Sequence, residues 1–251
     1  CIHAATDVGD PRQSSAPLQT FDSIVAGTRR ILDVARSRGA TRFLLTSSGA
    51  VYGTQPENLT HVPESYQGAP DPMLPSSAYG NGKRAAEWLA CAYAAQHGVN
   101  GFETVTARIF ALLGPGLPLN SSFAAGNFIR DALSNKAIII QGDGRPLRSY
   151  LYMSELCVWL LRILESGQSG QAYNVGSEHP VSILDLAGQI SRAAGYAASI
   201  EVKTAVDPRV PPPRYVPDTH KARLSLNLRE QVPLPLALQK TLHWSRSAMT
   251  P

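Results

Sequence analysis

The sequence predicts an α/β fold, a doubly wound parallel sheet followed by a smaller C-terminal domain. Short apolar segments, typical of buried strands, alternate with longer segments that have helical periodicity. A turn rich in Gly and Pro at 114–118 separates the two regions. Of the 251 residues, 43% are apolar and 17% charged, which is enough to bury a substantial core.

The first region contains three predicted strands and two predicted helices. The strands are 2–5, 42–46 and 103–107. The helices are 22–38, which ends at Gly39, and 77–97, which ends at Gly98. Ser76 or Ser77 is the expected N-cap of the second helix, and the Pro-rich stretch 55–75 before it is a predicted loop.

The second region has one predicted strand and four predicted helices. The strand is 138–140, and the helices are 123–133, 154–166, 182–194 and 233–246. Helix 154–166 is apolar almost all round, which predicts that it is buried. Ser182 and Asp185 have the spacing of a capping box. The Pro-rich segment 208–217 is a predicted loop.

Tyr79, Lys83 and Ser48 are the candidate catalytic residues. Tyr79 and Lys83 are four residues apart, so they lie on one face of a helix. A free tyrosine has a pKa near ~10, and a nearby ammonium favours its phenolate. Ser48 ends a predicted strand, where its hydroxyl can share the proton being moved. The trio suits oxidation of an alcohol, although an exposed Tyr and Lys on a solvated helix would explain the pair equally well.

Several further motifs accompany this trio along most of the chain. They are Ile2-His3-Ala4-Ala5, the Leu45–Gly53 strand and turn, Arg108-Ile109-Phe110 with Gly114-Pro115-Gly116, Arg148-Ser-Tyr-Leu-Tyr, and Tyr173-Asn-Val-Gly176. Together they resemble the extended short-chain dehydrogenase/reductases, the NAD-dependent epimerase/dehydratases of nucleotide sugars. The resemblance implies that 1–115 is the remainder of a Rossmann-like NAD-binding domain. It implies that 116–251 is mainly a nucleotide-sugar substrate domain.

The resemblance also implies the site residues. The cofactor NAD, with NADP not excluded, would contact Ala4, Ala5, Thr46, Tyr79, Lys83 and Phe110. A nucleotide-diphosphate sugar would contact Ser48, Asn127, Arg148, Arg209 and Arg214. Arginine binds phosphate oxygens bidentately, and Arg148 is the strongest of these candidates. For each arginine the alternative is a solvated surface charge.

The chain begins at Cys1, without an initiator Met and at the end of a predicted strand. We expect a fragment that lacks the first two β-α units of the resembled fold. Those units carry the glycine-rich turn for the pyrophosphate and the residue that reads the ribose. The choice between NAD and NADP is therefore not readable from this sequence.

Two positions after the catalytic serine narrow the predicted reaction. The resembled enzymes oxidise the sugar at C4 to a 4-keto species. Their 4,6-dehydratases carry an Asp-Glu pair directly after the Ser or Thr, and their decarboxylases often carry a Glu in the same turn. This chain has Gly49 and Ala50. The sequence therefore favours a 4-epimerase or 4-ketoreductase over a 4,6-dehydratase or decarboxylase. An inactive binding or dimerisation module is a further alternative.

Other classes of partner are not indicated. The net charge is +4 with no Lys/Arg run, which does not suggest nucleic-acid binding. No stretch approaches the ~18 apolar residues of a membrane span. Three scattered cysteines and six histidines without ligand spacing suggest packing residues of a cytoplasmic protein and no metal site. By resemblance, helices 22–38 and 77–97 would form a homodimer.

Overall fold

A four-stranded parallel sheet forms the centre of the first region. The structure is a computed structural model that describes residues 1–5, 16–195 and 198–249. The sheet has the order β1-β2-β3-β8, with strands β1 (Ile2–His3), β2 (Arg42–Ser48), β3 (Glu103–Ile109) and β8 (Ala172–Val175). All three pairings are parallel. The carboxyl ends of the strands therefore meet at one edge, where open α/β sheets bind their ligands.

Helices cover both faces of this sheet. They are α1 (Pro17–Ser37) and α2 (Ala78–His97) on one face, and α4 (Met153–Ser166) and α6 (His220–Leu226) on the other. Strand β2 explains the division, because its side chains alternate between the faces. Phe43 and Leu45 pack with α1 and α2, whereas Leu44 packs in the cluster that includes α4 and α6. The doubly wound parallel sheet is confirmed.

Most helix boundaries agree with the predictions, and Ser77 occupies the predicted N-cap position of α2, although its side chain forms no capping hydrogen bond. Two local expectations were wrong. Helix α4 is not buried all round, because Val158 and Leu161 are 61% and 60% exposed. The three cysteines are exposed and do not act as packing residues. The capping box is confirmed, since the Ser182 hydroxyl accepts from the Asp185 backbone N–H at 3.0 Å.

The second region packs three helices and several short strands around a core of its own. The helices are α3 (Ala124–Leu133), α5 (Ile183–Ala194) and α7 (Leu234–Met249). The strands are β4 (Leu112–Leu113), β5 (Ile138–Ile140), β6 (Leu147–Arg148), β7 (Leu151–Tyr152), β9 (Val181–Ser182), β10 (Ile200–Val202) and β11 (Arg214–Tyr215). Strand β11 lies inside the predicted loop 208–217 and pairs in parallel with β6. That part of the loop prediction was wrong.

The chain crosses between the two regions more than once. Strand β8 and helices α4 and α6 follow residue 115 in sequence, yet they complete the first sheet and its core. The side chain of Trp159 on α4, 2% exposed, packs in the same cluster as Val105 of β3. The face covered by α4 and α6 is thus closed by segments that follow residue 115, whereas α1 and α2 on the other face belong to the first region. A single division at 115/116 does not describe this packing.

Candidate active site

Ser48 lies where strand β2 ends and a short 3₁₀ turn, Gly49–Tyr52, begins. Its side chain caps that turn by accepting the Ala50 backbone N–H at 3.2 Å. Strand β2 pairs with β1 at Leu44 and Leu45 and with β3 along its whole length, where Ser48 lies opposite Ile109. The β3 ladder therefore fixes the position of Ser48. Ser48 is 9% exposed, at the carboxyl edge of the sheet.

Lys83 projects from α2 towards the same edge. Its ammonium donates to the Thr46 carbonyl at 2.9 Å and lies 5.9 Å from the centroid of the Tyr79 ring. Burial lowers the pKa of Lys83 to about 8, and the nearby Glu87 carboxylate partly opposes this. Among the described residues, no second group accepts from the ammonium. Two of its three N–H donors are therefore available to a ligand.

Tyr79 is half-buried on the first turn of α2. Burial raises its pKa above the ordinary value, and interaction with the Ser48 hydroxyl partly counteracts the rise. We expected the Lys83 ammonium to lower the pKa of this phenol. In the structure the ammonium faces the ring and is bound to the Thr46 carbonyl, so burial has the larger effect.

Close approach of α2 to the turn after Ser48 depends on glycine. A Cβ built on Gly80 would lie 2.8 Å from the Ala50 carbonyl oxygen and 2.6 Å from Cγ of Pro70. Contacts this short do not occur for real side chains. The absence of a side chain at Gly80 therefore allows the start of α2, and with it Tyr79, to approach Ser48.

Tyr215 is a residue of this site that the sequence analysis missed. Its phenol oxygen lies 3.4 Å from the Ser48 Oγ, and its ring packs against Phe110 with centroids 4.6 Å apart. Burial raises the pKa of Tyr215 to about 12. The sequence signal that could have identified it is an aromatic residue beside Arg214 in a Pro-rich segment, but that segment was predicted to be a loop.

The predicted substrate residues lie in different surroundings. The guanidinium carbon of Arg148 is 5.7 Å from the Tyr215 ring centroid, and Arg214 precedes Tyr215 on β11. Within the described ranges, the Arg148 guanidinium donates only to its neighbouring Leu147 carbonyl, and no side-chain partner is found for Arg214. Both guanidinium groups therefore keep donors for an anionic ligand.

Asn127 and Arg209 are less favourably placed. The Asn127 amide donates to the Ser121 carbonyl at 2.9 Å and accepts from Arg130 at 3.3 Å, so it orders the start of α3. Arg209 is exposed, with 88% of its side chain accessible, and forms an ion pair with Asp207 at 2.9 Å. The structure gives Arg209 the surface environment that was the alternative to ligand binding.

The predicted cofactor residues lie along the carboxyl edge of the sheet. Ala4 and Ala5 follow β1 and are exposed, and the Thr46 hydroxyl donates to the His3 carbonyl at 3.0 Å. Phe110 follows β3 and is 4% exposed. A nicotinamide nucleotide fits at this edge. The side chains after β1 are small, Lys83 has free N–H donors, and the packed rings of Phe110 and Tyr215 provide an aromatic surface. In the described part of the chain, no group of His, Cys, Asp and Glu could hold a metal ion.

A partly buried ion pair joins α2 to the sheet below the site. Arg108 on β3 donates to both carboxylate oxygens of Glu87 on α2, with the shortest contact at 2.7 Å. Ser47 donates to the same carboxylate at 2.6 Å. The Tyr52 hydroxyl accepts from Arg108 and donates to the Asn174 amide oxygen. This network connects α2, β2, β3 and β8.

Comparison with known proteins places this arrangement in a family. Residues 1–176 match the profile of the NAD dependent epimerase/dehydratase family. UDP-glucuronic acid decarboxylase 1 of Xenopus tropicalis is 33% identical over 247 residues, covering 98% of this chain and 56% of that protein. UDP-glucuronic acid decarboxylase 3 of Arabidopsis thaliana is 35% identical over 225 residues, covering 87% and 63%. The chain thus spans little more than half the length of these relatives.

Solved structures share the fold. UDP-glucose 4-epimerase of Thermotoga maritima superposes with a TM-score of 0.86 at 21% identity, covering 99% of this chain and 77% of that one. RMD from Pseudomonas aeruginosa, complexed with NADPH, gives 0.85 at 24% identity, covering 98% and 81%. At these identities the likeness shows the fold alone. The profile match over 1–176 and the decarboxylase relatives show that the chain belongs to the NAD-dependent epimerase/dehydratase family.

Proposed function

We propose that the protein oxidises a nucleotide-diphosphate sugar at C4 and then removes its carboxyl group as CO₂, as a UDP-glucuronate decarboxylase. The observation that carries the proposal is the convergence of Ser48, Tyr79 and Lys83 at the carboxyl edge of the sheet. The curated relatives named above are UDP-glucuronic acid decarboxylases, which supports this substrate over the 4-epimerase reading of the sequence.

In this mechanism the chain's own residues move one proton and position two ligands. Bound NAD would supply the hydride acceptor, and later the hydride donor, for the sugar carbon. Tyr79 must first ionise against the burial that raises its pKa, and the Ser48 hydroxyl favours this step. The phenolate then removes the C4 hydroxyl proton, and Ser48 donates to the resulting oxygen. The free donors of Lys83 bind the nicotinamide ribose. Arg148 and Arg214 bind the diphosphate, with no role required of Arg209.

The residues at positions 49 and 50 are compatible with decarboxylation on chemical grounds. Elimination of water needs a base that removes the C5 proton, and neither Gly49 nor Ala50 supplies one. In a 4-keto glucuronate the carboxylate is β to the ketone. Its C5–C6 bond can break with the electrons moving onto the C4 oxygen, and C5 of the resulting enolate then takes a proton from water. The step therefore needs a proton donor for C5 and no base. The missing carboxylates therefore argue against dehydration more strongly than against decarboxylation.

Turnover of UDP-glucuronate with NAD tests the proposal. We expect release of CO₂ and formation of a UDP-pentose, measured by trapped CO₂ and mass spectrometry. The Tyr79→Phe variant should lose activity by about 10²–10⁴-fold, because it removes the general base. Tyr66→Phe is the matched control, since it removes a phenol from the neighbouring loop and should retain activity.

A 4-epimerase is the second candidate, favoured by the absence of carboxylates at Gly49 and Ala50. It predicts UDP-galacturonate from UDP-glucuronate, or interconversion of UDP-glucose and UDP-galactose, with no CO₂. If NAD neither protects the protein against heat nor quenches its fluorescence, the inactive binding module replaces both proposed enzymes.

We further propose that α1 and α2 form a homodimer interface.

A further inference from the structure

A second phenol, that of Tyr215, lies beside Ser48. We propose that Tyr215 is a positioning residue that directs the Ser48 proton towards Tyr79 and the reacting sugar oxygen. The inference rests on the proposed role of Tyr79 as the base. It concerns a residue that the motif of Ser48, Tyr79 and Lys83 does not contain.

The number of hydrogen bonds that a hydroxyl can form gives the first argument. A serine hydroxyl has one donor and two acceptor positions. The Ala50 backbone N–H already occupies one acceptor position at 3.2 Å. The Tyr215 phenol, 3.4 Å away, can occupy the second. With both acceptor positions filled, the Ser48 proton is left to point at Tyr79 or at substrate.

The ionisation state of Tyr215 allows its phenol to be the donor in this hydrogen bond. Burial keeps the pKa of Tyr215 at about 12, so the phenol is neutral at physiological pH and has an O–H to donate. A distance of 3.4 Å is long for an O–H···O bond. Such contacts in a ligand-free site often shorten when substrate binds.

The backbone around Tyr215 holds the phenol in place from two sides. Tyr215 pairs with Arg148 across the parallel β11–β6 ladder. The next residue, Val216, donates its backbone N–H to the Gln55 amide oxygen at 3.0 Å and accepts from the Val62 backbone N–H at 2.9 Å. Residues fixed in this way position a functional group more accurately than a free loop does.

The position after Ser48 must be glycine for this contact to form. A Cβ built on Gly49 would lie 2.7 Å from the Tyr215 oxygen and 2.7 Å from two atoms of the Phe110 ring. Any side chain there would displace one of the two rings. The absence of a side chain at Gly49 and the contact of Tyr215 with Ser48 thus belong to one structural feature. The Arg148 guanidinium over the Tyr215 ring extends that feature to the expected diphosphate site.

The test compares Tyr215→Phe with the wild type. The substitution keeps the ring packed on Phe110 and removes only the oxygen. Without that donor, Ser48 stabilises the Tyr79 phenolate less, so the pKa of Tyr79 should rise by about 0.5–1 pH unit. The acidic limb of kcat/KM for UDP-glucuronate should move to higher pH by the same amount, with kcat affected more than KM.

A readout without turnover separates this inference from the proposed function. Tyrosinate absorbance is titrated against pH in the wild type and in Tyr215→Phe. The same titration is recorded for each of the two proteins with Tyr79→Phe added, and this second curve is subtracted from the first. Circular dichroism is recorded on the same samples. The difference isolates Tyr79, and its midpoint should be higher in Tyr215→Phe even if no sugar nucleotide is turned over.

Tyr52→Phe is the matched control. It removes another buried phenol of the same aromatic cluster, one that binds Arg108 and Asn174 and does not touch Ser48. It should change stability and leave the midpoint and the acidic limb unchanged. Equal midpoints in wild type and Tyr215→Phe, or an equal shift in Tyr52→Phe, would overturn the inference.

Discussion

Burial of the Lys83 ammonium lowers the free energy of unfolding at neutral pH, and the pH dependence of stability can measure this effect. Burial lowers its pKa from 10.5 to about 8, so between these values the unfolded chain binds more protons than the folded protein. The free energy of unfolding therefore rises with pH across this window. A shift of this size corresponds to about 3 kcal/mol. Holding an ammonium at this edge of the sheet makes the folded state less stable at neutral pH.

We predict that Lys83→Met removes this pH dependence. The difference in unfolding free energy between wild type and K83M should move in favour of wild type by about 3 kcal/mol as the pH rises from 8 to 10.5. Urea denaturation at several pH values measures it. The exposed Lys240→Met serves as control and should show no such window. A constant difference for K83M would mean that the ammonium is not buried as described.

The residue scale also shows what the sequence could not reveal. Tyr79 and Lys83 were identifiable because both lie on one helix, where spacing determines which side chains are neighbours. Tyr215 reaches Ser48 only through the β11–β6 ladder and the Val62 contact, which pair segments distant in sequence. A two-residue strand has no periodicity of its own, so its partner was not predictable from local pattern.

At the scale of elements, helix α1 and helix α2 each contain a glycine whose surroundings predict opposite effects of alanine. Gly27 in α1 has no atom within 4 Å of a built Cβ, whereas a Cβ on Gly80 would meet the Ala50 carbonyl oxygen at 2.8 Å. Gly27→Ala should stabilise the protein by about 0.5–1 kcal/mol through helix propensity. Gly80→Ala should destabilise it by about 1–3 kcal/mol through overpacking and should lower kcat.

Thermal denaturation of the two variants and single-turnover kinetics check this pair. Because Gly80→Ala pushes the start of α2 away from the turn after Ser48, its kcat should fall while Gly27→Ala keeps the wild-type rate. An unchanged melting temperature for Gly80→Ala would show that the turn after Ser48 can move to accommodate the methyl group without a loss of stability.

The ion pair between Arg108 on β3 and Glu87 on α2 predicts that substitutions of the two residues have coupled effects on stability. Glu87→Gln leaves the partly buried Arg108 guanidinium without its carboxylate and should lower the free energy of unfolding by about 1–3 kcal/mol. Arg108→Met should also be destabilising, since Glu87 then lacks its partner. The double variant should recover part of the loss, and a double-mutant cycle from urea denaturation measures the coupling. Additive losses would contradict a direct interaction between the two side chains.

Prediction of elements succeeded where a segment is long enough to contain its own pattern. Helix α5 was predicted from its capping box and apolar spacing, and strand β2 from its apolar run. The short strands of the second region form only because partners align them, as β11 does beside β6. Helix α4 shows the opposite limit. Its sequence is apolar on every side, but only one side contacts the sheet, so composition overstated its burial.

At the scale of the whole molecule, two apolar surfaces remain exposed within the described residues. One is the solvent-exposed side of the α1–α2 pair, which carries Val34 and Trp88, 53% and 68% exposed. The other consists of Val158 and Leu161 on α4, beside a recess of about 840 Å³ at the end of the sheet. None of the helices within the described ranges combines the length and hydropathy of a membrane span.

We expect the α1–α2 surface to form the homodimer, because of its area. Helices of 21 and 20 residues lying side by side present roughly 30 Å by 20 Å, which approaches the ~800 Å² that each partner of a stable complex contributes. Helix α4 presents only one strip. Trp88→Glu combined with Val34→Glu should therefore halve the mass measured by sedimentation velocity, because it buries charges without partners.

Leu224→Glu, on α6, is the control for the dimer prediction. Leu224 is 72% exposed and lies outside both surfaces, so its substitution should leave the mass at twice that of the chain. Val158→Glu with Leu161→Glu should also keep the dimer. If that α4 pair dissociates the protein and the α1–α2 pair does not, subunits associate through the end of the sheet. The recess beside Cys1 would then be the subunit interface.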